Sequence, residues 1–316
     1  MSIEQDSINR LLTLLKRQWQ VENIRSMAGG MSACMSLVSL KAPDGNCVRW
    51  VVRQLSAETL ALRPGAVKME YELLQIMSSH GLPVSKPVYL DEKGRLFGNP
   101  SLVMEYLPGD VDFSMHTKVN RPNQLAQLLA RIHSIGLNEI DPTGVPKLAL
   151  TFGELFGDDP LIPDEELSET LIRTALKRHW PPKTSNPPVL LHGDYWNGNI
   201  LWHEENISGV IDWEDAWIGE PLLDIAGTRV DLAYTFGIGL ADQFTRSYAV
   251  NREINLESLP QWDLVAVLWL IRFINHDLSA WASFYHRYGR LDITANFIKT
   301  RINEFSESAL NKLEKV

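Results

Sequence analysis

Strand-like runs crowd the first hundred residues of the chain, and helical spacing takes over after them. Arg49-Trp50-Val51-Val52-Arg53-Gln54 and Ser101-Leu102-Val103-Met104-Glu105-Tyr106-Leu107 carry the β-branched and aromatic residues of strands. A Pro108-Gly109 break closes the second. Between them, residues 67–77 place Leu73, Leu74 and Met77 on one face of a helix, with Gly81 and Pro83 as stop signals. Farther along, the spacing predicts helices over 124–135, 222–250, 257–288 and 292–313, with a shorter run over 167–179. Two short apolar strands interrupt this helical half, Ile200-Leu201-Trp202 and Gly209-Val210-Ile211, joined by a hairpin turn from His203 to Ser208.

Composition narrows the class. At 316 residues, with 45% hydrophobic and 22% charged, the chain can bury a large core in one bilobal unit. Residues 1–6 lack the basic and apolar regions of a signal peptide. Leu264 to Ile271 is the most apolar helix candidate, yet Asp263 and Arg272 bound it well short of a membrane span. Cys34 and Cys47 form neither a disulfide framework nor a metal motif. The expectation is a cytoplasmic protein that binds neither membrane nor nucleic acid, with its oligomeric state open.

Charge is uneven. Residues 1–107 carry 12 Lys and Arg against 10 Asp and Glu, whereas the remainder carries 18 against 29. An acidic second half disfavours a nucleic-acid backbone and suits a cationic, amine-bearing substrate.

The candidate chemistry lies in His192-Gly193-Asp194-Tyr195-Trp196-Asn197-Gly198-Asn199 and in Val210-Ile211-Asp212-Trp213. Asp194, in a tight loop that Gly193 permits, is placed to accept a hydroxyl proton as catalytic residue. Asn199, five positions on, offers a carbonyl oxygen, and the hairpin returns Asp212 as a second hard ligand, the donor set that Mg²⁺ takes. Asn197 and Asp215 compete for these roles and fail on spacing.

These residues, with Gly219-Glu220-Pro221-Leu222-Leu223-Asp224-Ile225-Ala226, resemble the aminoglycoside phosphotransferase and choline kinase family of small-molecule kinases. The resemblance extends more loosely from Met27 to Asp231. It implies an α+β, bilobal, protein-kinase-like fold: a small antiparallel β-sheet N-lobe over residues 1–107 with the hinge at its end, and a larger, mainly helical C-lobe over 108–316. ATP, with GTP as an alternative, and Mg²⁺ are the implied cofactors, and a hydroxylated small molecule is the acceptor. Gly29 and Gly30 resemble the family's phosphate-covering turn, and a hairpin explains them equally well. Arg53 stands where kinases place a phosphate-pairing Lys, and Glu70 aligns with the helix Glu that holds it, with Glu72 as rival. Glu105 and Leu107, on a strand read as an edge, are the adenine-binding main-chain candidates.

Other features have plainer explanations. N-capping accounts for Asp224, and the resemblance adds bracing of the catalytic loop. His133 and His192 read as structural. Trp262, Trp269, Trp281 and Tyr285 read as core before they read as a ring-binding site. The acidic stretch from Asp158 to Glu166 suits a helix N-terminus. Two alternatives to a small-molecule kinase stay open: a protein kinase, which the short span from Asp212 to Asp224 disfavours, and a nucleotide-binding regulatory module that has lost catalysis.

Overall fold

The strand-like runs of the first hundred residues form a five-stranded antiparallel sheet. In a computed structural model that describes residues 3–27, 33–114, 120–140, 144–148, 156–157, 159–183 and 186–314, the chain divides into two units. The first holds residues 1–109 with the short segments 139–144 and 208–214; the second holds 110–138, 145–207 and 215–316.

In the first unit the strands are β1 (Gln20–Met27), β2 (Ala33–Lys41), β3 (Cys47–Leu55), β4 (Pro87–Asp91) and β5 (Ser101–Glu105), in the spatial order β1-β2-β3-β5-β4. Trp50 and Val52 of β3 join Val38, Leu40 and Val103 in a core capped by Ile8, Leu11 and Leu12 of helix α1 (Gln5–Leu14). Because side chains alternate across a strand, that arrangement turns Arg53 to the opposite face. Helix α2 (Ala57–Leu62) follows β3, and Ser56 caps it by accepting a bond from the Thr59 N–H. Helix α3 (Ala66–Ser79) then buries Leu73, Leu74 and Met77, the predicted stripe, together with Glu70.

One expectation fails here. β5 is an interior strand, paired on one side with β3 and on the other with β4, so it presents no open edge. Its register sets Trp50 against Glu105 on the β3 side and Pro87 against Met104 on the β4 side.

The second unit is mainly helical: α4 (Arg121–Ile132), α5 (Glu169–Arg178), α6 (Leu222–Phe236), α7 (Ile238–Asn251), α8 (Leu259–Ile274), α9 (Leu278–His286) and α10 (Ala295–Leu313). α6 is central, packed against α7, α8 and α10, and is buried almost all round. Two predicted helices are each broken in two. Gly237, at φ 105°, separates α6 from α7, and Asn275, at φ 48°, ends α8 in the left-handed conformation that Asn tolerates. Among the described residues no single helix is long and apolar enough to cross a membrane.

Two ribbons flank the loop of residues 192–199. β6 (Val189–Leu191) pairs antiparallel with β9 (Trp217–Gly219), and β7 (Ile200–His203) pairs with β8 (Asn206–Val210), the predicted hairpin with a tighter turn. Residues 192–199 connect β6 to β7.

Candidate active site

The loop from His192 to Asn199 is held by neighbours in the second unit. It turns at Gly193, whose φ of 82° excludes most side chains, and a Cβ there would fall 1.8 Å from the Asp215 carbonyl oxygen. Asp224, in the first turn of α6, accepts bonds from the main-chain N–H of His192 at 2.7 Å and of Gly193 at 2.9 Å. The N-cap of α6 is Pro221, so Asp224 does not serve the helix as expected; its carboxylate ties down the loop.

His133 backs this carboxylate. Its ring lies 3.1 Å from Asp224 Oδ2 through Nε2 and 2.7 Å from the Tyr248 hydroxyl through Nδ1. Burial holds His133 below the ordinary histidine range, against the opposing pull of Asp224. The neutral ring has one N–H, and a carboxylate can only accept, so Nε2 donates to Asp224 and Nδ1 accepts from Tyr248. Lower in the loop, the Asn197 main chain and side chain both donate to Asp231. Thr228 Oγ1 donates to the Tyr195 carbonyl at 2.7 Å. Neither Asp231 nor Thr228 was assigned a role from the sequence; the available signal was polar residues at positions 224, 228 and 231, one face of a mostly apolar helix.

Asp194 is exposed, and Asn199 is buried in the short turn that ends the loop. Asn199 Nδ2 donates to both the carbonyl and the carboxylate of Asp194, which leaves Oδ1 as the atom with which this amide can ligate a metal. Asp194 also borders a cavity of about 310 Å³, whose walls include Trp196, Trp269 and Trp281. Of the four aromatic residues read as core, Trp262 and Tyr285 are fully buried, whereas Trp269 and Trp281 line this cavity.

The first unit assembles a second cluster. Arg53, itself buried, donates to Glu70, to Asp212 Oδ1 at 3.1 Å and to Glu214 Oε2 at 2.6 Å. Burial opposes the charge, but these three carboxylates hold the guanidinium above its ordinary range. Burial also pushes the Glu70 carboxyl up, and Arg53 pulls it back. Glu72, the rival, pairs instead with Lys68 at 3.6 Å on a more exposed face. Asp212 sits at φ 66°, a left-handed conformation that Asp adopts more readily than most residues and that recurs at functional sites. Glu214 was not anticipated; its signal was a carboxylate two positions beyond the metal candidate.

Three carboxylates around one guanidinium leave surplus negative charge and hard oxygens, chemistry that fits Mg²⁺. Among the described residues no group of three His, Cys, Asp or Glu forms a metal-holding cluster by itself. The remaining N-lobe candidates fare differently. Gly29 and Gly30 lie outside the described residues. The Glu105 N–H already donates to Lys86 O at 2.8 Å, because β5 is interior; Leu107 lies beyond the strand's end.

Comparison with known proteins follows this geometry. A family model described as the phosphotransferase enzyme family matches residues 24–263. Homoserine kinase of Beijerinckia indica is 26% identical over 227 residues, 66% of this chain and 68% of the relative. Acyl-CoA dehydrogenase family member 10 of Mus musculus is 26% identical over 241 residues, 65% of this chain but 22% of the relative. The chain thus spans between 22% and 32% of the length of several acyl-CoA dehydrogenase family relatives that it matches. The structure of a candidate aminoglycoside phosphotransferase from Ralstonia eutropha superposes with a TM-score of 0.68 at 16% identity, covering 99% of both chains. The GDP and kanamycin complex of an aminoglycoside 2″-phosphotransferase does so with a TM-score of 0.65 at 18% identity, covering 96% of this chain and 99% of that one.

Proposed function

The chain belongs to the phosphotransferase enzyme family, and from that premise we propose an ATP- and Mg²⁺-dependent O-phosphotransferase acting on the hydroxyl of a small molecule. The observation that carries the proposal is Asp194, an exposed carboxylate on the wall of a cavity, oriented by an amide one turn away. A general base must reach the proton it takes and face the substrate, and the exposure of Asp194 at a cavity wall supports that role. GDP bound by a structural neighbour supports a nucleotide donor. Homoserine kinase as a relative supports a small hydroxylated acceptor.

The residue roles follow the chemistry. Asp194 accepts the acceptor's hydroxyl proton and aims its oxygen. Arg53 pairs with nucleotide phosphate, where its planar guanidinium binds bidentately, and Glu70 fixes it in place. Asn199 through Oδ1 and Asp212 through its carboxylate are the proposed metal ligands. When bound, Mg²⁺ neutralises charge on the nucleotide's phosphates. Leu107 stays a main-chain candidate for the base. Cys34 and Cys47, both free and exposed, suit a reducing compartment, and the cytoplasm is the proposed location.

The direct test is phosphate transfer by purified protein from ATP or GTP to a panel of hydroxylated small molecules, with and without Mg²⁺. Metal-dependent product formation is the expected result. Nucleotide binding with no transfer to any acceptor, in wild type and Asp194→Asn alike, would instead favour the regulatory module.

A further inference from the structure

Arg53 meets its three carboxylates through two nitrogens. Nη1 donates to Glu70, while Nη2 is divided between Asp212 Oδ1 at 3.1 Å and Glu214 Oε2 at 2.6 Å. Glu70 comes from α3 and has a deeply buried side chain, 5% exposed. Asp212 and Glu214 come from one turn after β8 and are more open, at 37% and 17%. The two outer acids are therefore the ones that a ligand can reach.

The turn that carries them is held at two points. Trp213, between the two acids, is buried, and its indole N–H donates to the Val210 carbonyl at 3.2 Å. Arg63, at the end of α2, donates to the Glu214 carbonyl at 2.8 Å. With its main chain fastened in this way, Glu214 delivers its carboxylate to the shorter of the two Nη2 bonds.

To a guanidinium, a carboxylate and a phosphate present the same kind of charged acceptor. Phosphate that takes Nη2 must therefore displace Glu214. Charge adds a second obstacle, because three carboxylates against one guanidinium leave two negative charges in the cluster. Arg63 is exposed, and solvent screens what its side chain could offset. A nucleotide without metal thus meets like charge at the group that should bind it. With a divalent cation present, Asp212 gains a counter-ion of its own and can release Arg53. Glu214 lies outside the proposed metal ligands, yet it contributes half of the surplus charge.

We propose that Glu214 makes nucleotide binding conditional on the metal, by holding Arg53 in place of phosphate and opposing a nucleotide that arrives without a divalent cation. The proposal rests on the phosphotransferase reading, in which Arg53 pairs with nucleotide phosphate. Glu214 acts through Arg53 and selects the metal-bound form of the donor. An arginine suits this arrangement, since its planar fork presents separate nitrogens to the inner and outer acids where a lysine has one.

The test measures ATP affinity of the full chain by isothermal titration, once in excess EDTA and once in excess Mg²⁺, at matched ionic strength. Glu214→Gln keeps the shape and an acceptor oxygen but removes the charge. It is expected to bind metal-free ATP at least about tenfold tighter than wild type, because a like-charge contact of this kind is lost, and to narrow the ratio between the two conditions accordingly. Glu214→Asp should keep most of the wild-type ratio. Glu72→Gln, which removes one charge from the exposed pair with Lys68 on α3, should leave it unchanged. A gain in affinity is a result that damage to the turn would not give.

Weaker Mg·ATP binding in Glu214→Gln with metal-free binding unchanged would make Glu214 a metal ligand, and equal weakening of both would confine it to positioning Arg53. Either result overturns the proposal. So would unchanged affinities in that variant, or a wild type that binds ATP equally with and without Mg²⁺, and the phosphotransferase reading survives each of these. Failure of wild type to bind ATP or GTP in either condition would sink that reading and the proposal with it.

Discussion

Asn199 holds Asp194 twice, its Nδ2 donating to the Asp194 carbonyl at 2.9 Å and to Oδ2 at 2.8 Å. One amide therefore sets the direction of the proposed proton acceptor while its other end is the proposed metal ligand. Base and metal are coupled through a single side chain, so disturbing either should be felt by both.

Asp194→Asn is expected to keep nucleotide affinity and lose turnover by roughly a hundredfold or more, the usual worth of general-base assistance. The substitution removes a proton acceptor without removing a phosphate contact. Steady-state kinetics on a working acceptor, beside nucleotide titration, checks it; near-normal kcat would move the base elsewhere.

Asn199→Ala should lower kcat and also raise the Mg²⁺ concentration needed for half-maximal rate, because the amide serves both neighbours. Asn199→Asp restores an oxygen ligand but sets a second carboxylate beside Asp194, and like charges raise the pKa of one. Its rate should rise with pH over a higher range than that of wild type. A pH profile at saturating Mg²⁺ that coincides with wild type would separate the two roles.

Arg53→Ala leaves Glu70 buried and unpaired, so a loss of about 3–5 kcal/mol in folding stability is expected together with a raised nucleotide KM. Arg53→Lys should recover much of both. Glu70→Ala should be milder, and the double variant less than additive, since the pair shares one task. Denaturant unfolding and nucleotide kinetics on all four proteins complete the cycle. Unchanged nucleotide KM in Arg53→Ala would confine Arg53 to a structural role.

Burial pushes the Asp231 carboxyl up to about 6, and bonds from Asn197, Tyr234 and Thr235 pull against that push. A raised carboxyl binds protons more readily in the folded state than in the unfolded one. Its contribution to stability is therefore full below about pH 4 and is lost as pH rises to about 6, a change on the order of 3 kcal/mol. Relative to Asp231→Asn, wild type should look most favourable at low pH and lose that advantage toward pH 7. Parallel unfolding curves from pH 4 to 7 would mean that Asp231 is as acidic folded as unfolded.

Much of this was legible in the chain and some was not, for identifiable reasons. A β-branched and aromatic run placed Arg53 on a strand, and the apolar stripe of residues 67–77 fixed α3. The same runs could not say which strands would neighbour β5, because sheet order depends on long-range pairing that no local pattern encodes. Helical spacing read straight through Gly237 and Asn275, since a periodic face continues in sequence after the backbone has turned. The loop residues Asp194 and Asn199 stood out by spacing, and Asp224 by the family-like segment that carries it, whereas Asp231 and Glu214 did not. The partners of the last two, Asn197 and Arg53, lie 34 and 161 positions away and were visible only in three dimensions.

Gly193 bears on how this sequence can change. With a positive φ and a carbonyl oxygen 1.8 Å from where a side chain would begin, the position is closed to all nineteen alternatives, alanine included. Variation that retunes the acceptor must be drawn from the cavity wall, at Trp269 or Phe273, and not from the turn that delivers Asp194. A laboratory lineage selected for a new acceptor should accumulate exchanges on α8 and α9 while residue 193 stays invariant in every survivor.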